Sequence, residues 1–308
     1  MRLLLLLIPT ILSAQFDYDR TKPFDTKREE LSKRPTATLY GDSFAGPKGG
    51  RVNFVLVVPA PSIKPPYAGV IFQHGGGQSM TNYVSEALIL AEAGVVSIIP
   101  DAPARGDGKS DSGKPKLETE RDSIAEIVIC ERRVLDYLLQ QPGVDSKRIA
   151  YVGHSYGAAA GGTLSGIEPR ISTFILMGGI AKHSRHVTEN QSEYWRTARA
   201  AVTPAQLQRA VAQIAEVDPD RFLPKARAPI LVQCAKFDTD DNMAACPEVH
   251  KLVGGPKRLT WYDDDHNFTS IEAWIDRLYW LQRQLGLKPV RPAIERWLGR
   301  PIPEPTPK

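Results

Sequence analysis

A chain of 308 residues, 42% apolar and 24% charged, has the composition of a globular protein and the length to bury one large core. Its 39 basic and 35 acidic residues leave a net charge of only +4, with no dense Lys/Arg run, so no nucleic-acid partner is expected. The N-terminus stands apart. Arg2, the apolar run Leu3–Ile8 and the small residues Ser13 and Ala14 form the pattern of a secretory signal cleaved after Ala14. That run is too short to span a bilayer as an uncut anchor. Export to the periplasm or beyond the cell is therefore expected, and stable membrane insertion is not.

Residues 15–36 are charged and lack apolar periodicity, reading as an extended arm that leads into one domain over 37–295. Arg51–Val58 reads as a strand stopped by Pro59, and Gly69–Gln73 as a second strand ending in His74-Gly75-Gly76-Gly77. Tyr83–Ala93 has helical spacing and stops at Gly94. Val95–Ile99 is a buried strand, followed by a loop rich in Pro, Gly and Asp. Glu118–Gln141 is a long amphipathic helix with Ile124, Ile127, Val128, Leu135 and Leu138 on its inner stripe. Further strands fall at Arg148–Val152, Ile171–Met177, Ile230–Gln233 and Arg258–Tyr262. The polar segment 180–228, with helical spacing from Pro204 to Val217, is either a crossover or a partial lid. Ile271–Leu287 is a last helix, and 296–308 a Pro-rich tail. Strands without period-two alternation, separated by helices, point to an α/β class: a doubly wound, mostly parallel sheet with helices on both faces.

The chemistry centres on Gly153-His154-Ser155-Tyr156-Gly157, which lies between an apolar strand and a run of small residues. Strand, sharp turn and helix, with serine at the turn, would hold a hydroxyl out above the end of a sheet. A serine needs a base, and the base an orienting acid. Of the six histidines, His266 alone follows a late strand, in the loop Asp263-Asp264-Asp265-His266, where α/β sheets build their sites. His183, His186 and His250 lie in polar segments with no strand end beside them. Asp238 follows the preceding strand and is the first choice of acid, with Asp240 and Asp241 as fallbacks. The negative oxygen of a tetrahedral intermediate would take the Tyr156 N–H and one from Gly76 or Gly77. Cys234 and Cys246 flank Asp238; they either form a disulfide that clamps its loop or, with Cys130, remain buried free thiols.

The Gly-His-Ser-Tyr-Gly turn, the His-Gly-Gly-Gly loop and the order Ser155, Asp238, His266 resemble the α/β-hydrolase superfamily, whose sheet is of eight-stranded type. The stretch from Cys130 through Asp145-Ser146-Lys147-Arg148-Ile149 into Ser155 is similar to the dienelactone-hydrolase-like and acetyl-xylan-esterase-like branch. So are Asp101–Ser110 and Asp218-Pro219 to Pro229, and the likeness runs over roughly residues 50–287. The resemblance implies a cofactor-free serine hydrolase acting on a small-molecule ester, an acylated carbohydrate being one candidate. Dienelactone hydrolases carry a cysteine nucleophile, and serine here disfavours their substrate. The alternatives are a prolyl-oligopeptidase-like peptidase, for whose usual N-terminal propeller this chain has no room, and a catalytically inactive binding module. Oligomeric state is left open by the sequence.

Overall fold

A computed structural model describes residues 14–101, 117–239 and 244–302. The expected leader, most of the Asp101–Ser110 loop, the fallback acids Asp240 and Asp241, and the end of the tail lie outside the described residues. In chain order the strands are β1 (Lys27–Lys33), β2 (Ala37–Ala45), β3 (Arg51–Pro59), β4 (Tyr67–Gln73), β5 (Val95–Pro100), β6 (Val144–His154), β7 (Thr173–Met177), β8 (Ile230–Ala235) and β9 (Lys257–Tyr262). They form one sheet in the order β1-β2-β3-β5-β4-β6-β7-β8-β9. The pairings from β1 to β3 and of β3 with β5 are antiparallel, and those from β5 through β9 are parallel. Among the described residues the sheet therefore has nine strands, one more than the eight-stranded type. The extra edge strand β1 comes from the charged arm, and its residues are almost all exposed, so no apolar alternation marks it.

The helices are α1 (Val84–Glu92), α2 (Leu117–Leu139), α3 (Tyr156–Ile167), α4 (His183–Glu189), α5 (Glu193–Ala200), α6 (Pro204–Ile214), α7 (Ala245–Leu252), α8 (Ile271–Leu285) and α9 (Arg291–Leu298). Each central strand sends alternate residues to two cores, which is why its burial is continuous. Phe54, Ile71, Tyr151 and Phe174 point into the core under α2 and α3. Val55, Val70, Phe72, Val152 and Ile175 point into the other, under α1, α8 and α9. The arm before β1 is part of the first core. Phe16 is fully buried, edge-on to Phe222 at 5.5 Å, and the Arg132 guanidinium donates to the Phe16 carbonyl at 2.7 Å.

The buried polar groups include an ion pair on one face and a lone carboxyl on the other. Arg277 of α8 donates to Glu86 of α1 at 2.6 Å, both side chains being only 5% exposed. A second nitrogen of Arg277 reaches the Gln233 side-chain oxygen at 3.3 Å. On the other face Glu131 of α2 is buried without a partner for one oxygen, and burial pushes its carboxyl up to about 8.

The topology also places the site. From β4 the chain moves outward to β5, then returns across β4 to add β6 on the other side. The crevice at that reversal, at the carboxyl ends of β4 and β6, is where open α/β sheets bind ligands.

Candidate active site

Ser155 is the residue between β6 and α3, and its backbone sits at φ 51, ψ −111. A non-glycine residue in this region is held there against its own preference, at a cost on the order of 1–3 kcal/mol. The holding contacts are visible. The Ser155 N–H donates to the Met177 carbonyl of β7 at 2.8 Å, and the Tyr151 hydroxyl donates to the Gly157 carbonyl at 2.9 Å. The flanking glycines follow from space. A Cβ on Gly153 would lie 2.3 Å from the Gly157 oxygen, and one on Gly157 would lie 2.4 Å from the Gln73 oxygen.

The three residues singled out for acyl transfer meet. His266 Nε2 lies 2.8 Å from Ser155 Oγ, and His266 Nδ1 lies 2.8 Å from an Asp238 carboxylate oxygen. The His266 and Asp238 side chains are 12% and 8% exposed, so this chain of hydrogen bonds is largely screened from solvent. A carboxylate only accepts, so the Nδ1 proton is held by Asp238, and the Nε2 lone pair is left to face the serine hydroxyl. Cys234 and Cys246 form a disulfide that closes the loop carrying Asp238, while Cys130 is free and buried.

Several supports carry no signal in sequence spacing. The buried Asp264 accepts from the N–H groups of Asp265 at 3.0 Å, Thr269 at 3.2 Å and Ser270 at 2.7 Å, folding the His266 loop around its carboxylate. The Phe237 N–H donates to the Asp264 carbonyl at 3.0 Å, tying the acid loop to the base loop. Gly178, after β7, has φ +54, and a Cβ there would come within 3.4 Å of the His266 ring. The tighter neighbour is the Phe268 ring, at 3.0 Å, and the positive φ itself favours glycine.

The glycine loop after β4 packs directly on the serine turn. A Cβ on Gly75 would lie 2.7 Å from His154 Nδ1 and 3.0 Å from Ser155 Cβ. The Gly75 N–H donates to the Gln78 side-chain oxygen at 2.9 Å, which takes it out of play as an anion donor. Gly76 lines the cleft beside Ser155 and Tyr156, whereas Gly77 makes the turn at φ +76 and is not part of the lining. His74 and His154 brace this loop. His74 bridges the Asp101 carboxylate at 3.2 Å and the Gly75 carbonyl at 2.8 Å. His154 Nε2 meets the His266 carbonyl at 2.5 Å, and Nδ1 lies 2.9 Å from the Gln78 oxygen. Burial, reinforced by the neighbouring His266, pulls the His154 pKa down to about 4, so this ring is neutral near pH 7.

A cleft of about 980 Å³ opens above Ser155. Its roof comes from the segment between β7 and β8: Lys182, α4, and Tyr194 and Trp195 at the start of α5. The remainder of that segment, α6, packs its buried face against the α2 side of the sheet. The segment is thus roof in its first third and crossover in the rest. In the roof, Lys182 pairs with Asp220, and Arg185 with Glu248 and Glu189. Among the described residues no cluster of three or more His, Cys, Asp or Glu has the arrangement of a metal site, and no helix is long and apolar enough to cross a membrane.

Comparison with known proteins agrees with this architecture. An acetyl xylan esterase from Paenibacillus sp. R4 superposes with a TM-score of 0.75 at 18% identity, over 89% of this chain and 92% of that one. Acetyl xylan esterase 1 from Thermoanaerobacterium sp. JW/SL YS485 gives 0.71 at 14% identity, over 88% and 92%. A cold-adapted esterase from an Arctic intertidal metagenomic library gives 0.62 at 17% identity, over 87% and 100%. At such identities the likeness is one of fold. A search of the curated proteins found no match. The sequence profile of the alpha/beta hydrolase family, however, matches residues 70–306, which include the serine turn, the acid loop and the base loop, and the chain belongs to that family.

Proposed function

We propose that the chain is a serine esterase that cleaves carboxylic esters through an acyl-enzyme. The observation that carries this reading is the unbroken line from Ser155 Oγ through His266 to Asp238, with both links at 2.8 Å. In this reading His266 Nε2 takes the hydroxyl proton as Ser155 Oγ attacks the ester carbonyl, and the imidazolium is stabilised by Asp238. The oxyanion is held by the N–H groups of Tyr156 and Gly76, with Gly77 shaping the turn; losing one such donor typically costs about 2.7–4 kcal/mol of barrier. Collapse expels the alcohol, which takes its proton from His266. A water deprotonated by the same nitrogen then attacks the acyl group and restores the serine.

An acylated carbohydrate is the finer substrate proposal, supported by the likeness of the whole fold to two proteins described as acetyl xylan esterases. Export is supported by the Cys234–Cys246 bridge, since disulfides persist in oxidising compartments. The test is hydrolysis of a short-acyl p-nitrophenyl ester. Ser155→Ala is expected to abolish turnover and labelling by a fluorophosphonate while leaving the melting temperature unchanged. Full activity in that variant refutes the reading, and cleavage of an aminoacyl-proline anilide without esterase turnover replaces it with the peptidase.

A further inference from the structure

His183 is the first residue of α4, and the triad makes no use of it. Its ring lines the cleft and stands edge-on to the ring of Tyr156, the residue after the nucleophile, with centroids 5.2 Å apart. The residue is only 4% exposed, yet its imidazole has no hydrogen-bond partner among the described residues. Buried polar groups are normally satisfied, and one left open on a cleft wall invites a partner from the ligand. The ring is also fixed in place. The buried Asp218 carboxylate accepts from the Ser184 N–H at 3.1 Å and from the Ser184 hydroxyl, pinning the start of α4. Burial, with His186 nearby, lowers the His183 pKa to about 3, so the ring is neutral.

We infer that His183 is a specificity-determining residue that hydrogen-bonds a hydroxyl on the alcohol portion of the substrate beside Ser155. The inference rests on the reading of this cleft as an ester site. A neutral imidazole offers one donor and one acceptor, which matches a hydroxyl and not a carboxylate or an ammonium group. The surrounding charges do not compete for an ionic ligand, because Lys182 and Arg185 are already paired. Tyr194 and Trp195, edge-to-face at 5.0 Å, supply aromatic surface to the same cleft for the apolar face of a pyranose ring. An ester without the hydroxyl leaves the desolvated ring unpaired, and that loss creates the discrimination.

The test measures binding in a Ser155→Ala background by calorimetry, with a mono-acetylated methyl pyranoside and phenyl acetate as the two probes. Adding His183→Phe keeps the edge contact with Tyr156 and deletes both ring nitrogens. The pyranoside is expected to bind about 10- to 100-fold more weakly and phenyl acetate within about twofold of the parent. His183→Gln, which keeps a donor and an acceptor, is expected to recover part of the loss. Equal losses for both probes, no loss for either, or no binding of the pyranoside by the parent overturns the inference. Should His183→Phe fail to fold, the ¹⁵N resonances of His183 in the Ser155→Ala protein decide: a shift on adding the pyranoside supports the contact, and no shift overturns it. Failure of the esterase reading appears separately, as pyranoside binding by the Ser155→Ala protein with no turnover by the wild type.

Discussion

Replacing Asp238 by Asn is the sharpest test of the hydrogen-bonded line through the site. The change is isosteric and removes one charge from a side chain that is 8% exposed, so the packing around it is kept. Its effect on proton placement is severe. Asp238 can only accept, which locks the proton of His266 on Nδ1 across the 2.8 Å contact and leaves Nε2 free to accept from Ser155. An amide can turn its NH₂ toward Nδ1 instead. The imidazole then carries its proton on Nε2, pointing at the serine hydroxyl it should deprotonate. A wrong tautomer of this kind lowers kcat by about 10⁴-fold, equivalent to about 5.5 kcal/mol of barrier. Asp238 is not part of the cleft lining, so KM is expected to change little. Steady-state hydrolysis of p-nitrophenyl acetate measures both constants, and a thermal melt checks the fold. A fall in kcat of less than tenfold with an unchanged melt refutes the assignment of Asp238. In that event Asp240→Asn and Asp241→Asn, otherwise expected to be near wild type, become the variants that lose activity.

Three more expectations probe the frame. Gly157→Ala places a Cβ 2.4 Å from the Gln73 carbonyl, so the glycine loop must shift; kcat is expected to fall at least about 100-fold, as from a lost anion donor, and wild-type turnover refutes the packing argument. Arg277→Met strands the buried Glu86 carboxylate and is expected to cost about 3–5 kcal/mol in denaturant unfolding. The double variant Glu86→Leu/Arg277→Met is expected to recover much of that loss, and equal losses in the two variants contradict it. Glu131→Gln tests pH linkage. The folded-state pKa, raised to about 8 from 4.5, means that the native state holds a proton the unfolded chain releases. That contribution is complete below about pH 4.5, declines as pH rises, and is gone above about pH 8. Glutamine carries no such slope, so the variant should gain on the wild type between pH 5 and 8.5 by up to about 4 kcal/mol, and a constant difference refutes the shift.

The core strands and the candidate site residues are legible because each has a local signature. Strands β3 to β8 read as apolar runs. Ser155 sits in a turn whose two glycines are required by contacts of 2.3 and 2.4 Å, and Asp238 and His266 follow successive strands. What escaped the sequence depends on tertiary neighbours. Strand β1 is charged and lies at the sheet edge, where pairing with β2 alone defines it. Gly178 looks like any loop glycine until its positive φ and the Phe268 ring beside it are seen. The use of Asp264 as the hub of the base loop, and not as an alternative acid, follows from three backbone donors that converge only in the folded loop. The fate of residues 180–228 was undecided because a polar amphipathic segment reads alike whether it roofs a cleft or crosses a sheet. His183 lies in that same polar segment with no strand end beside it, and only the folded chain brings its ring to the cleft.

The buried ring of Phe16 bears on the order of maturation. Cleavage after Ala14, the bond proposed for removal of the leader, requires the chain on both sides of it to lie extended in a protease groove. Phe16, two residues beyond, sits fully buried against Phe222 with its carbonyl gripped by Arg132. The two arrangements exclude each other in time. On the proposal that a leader is cut there, processing precedes completion of the core, and the newly freed end is the last piece to seat.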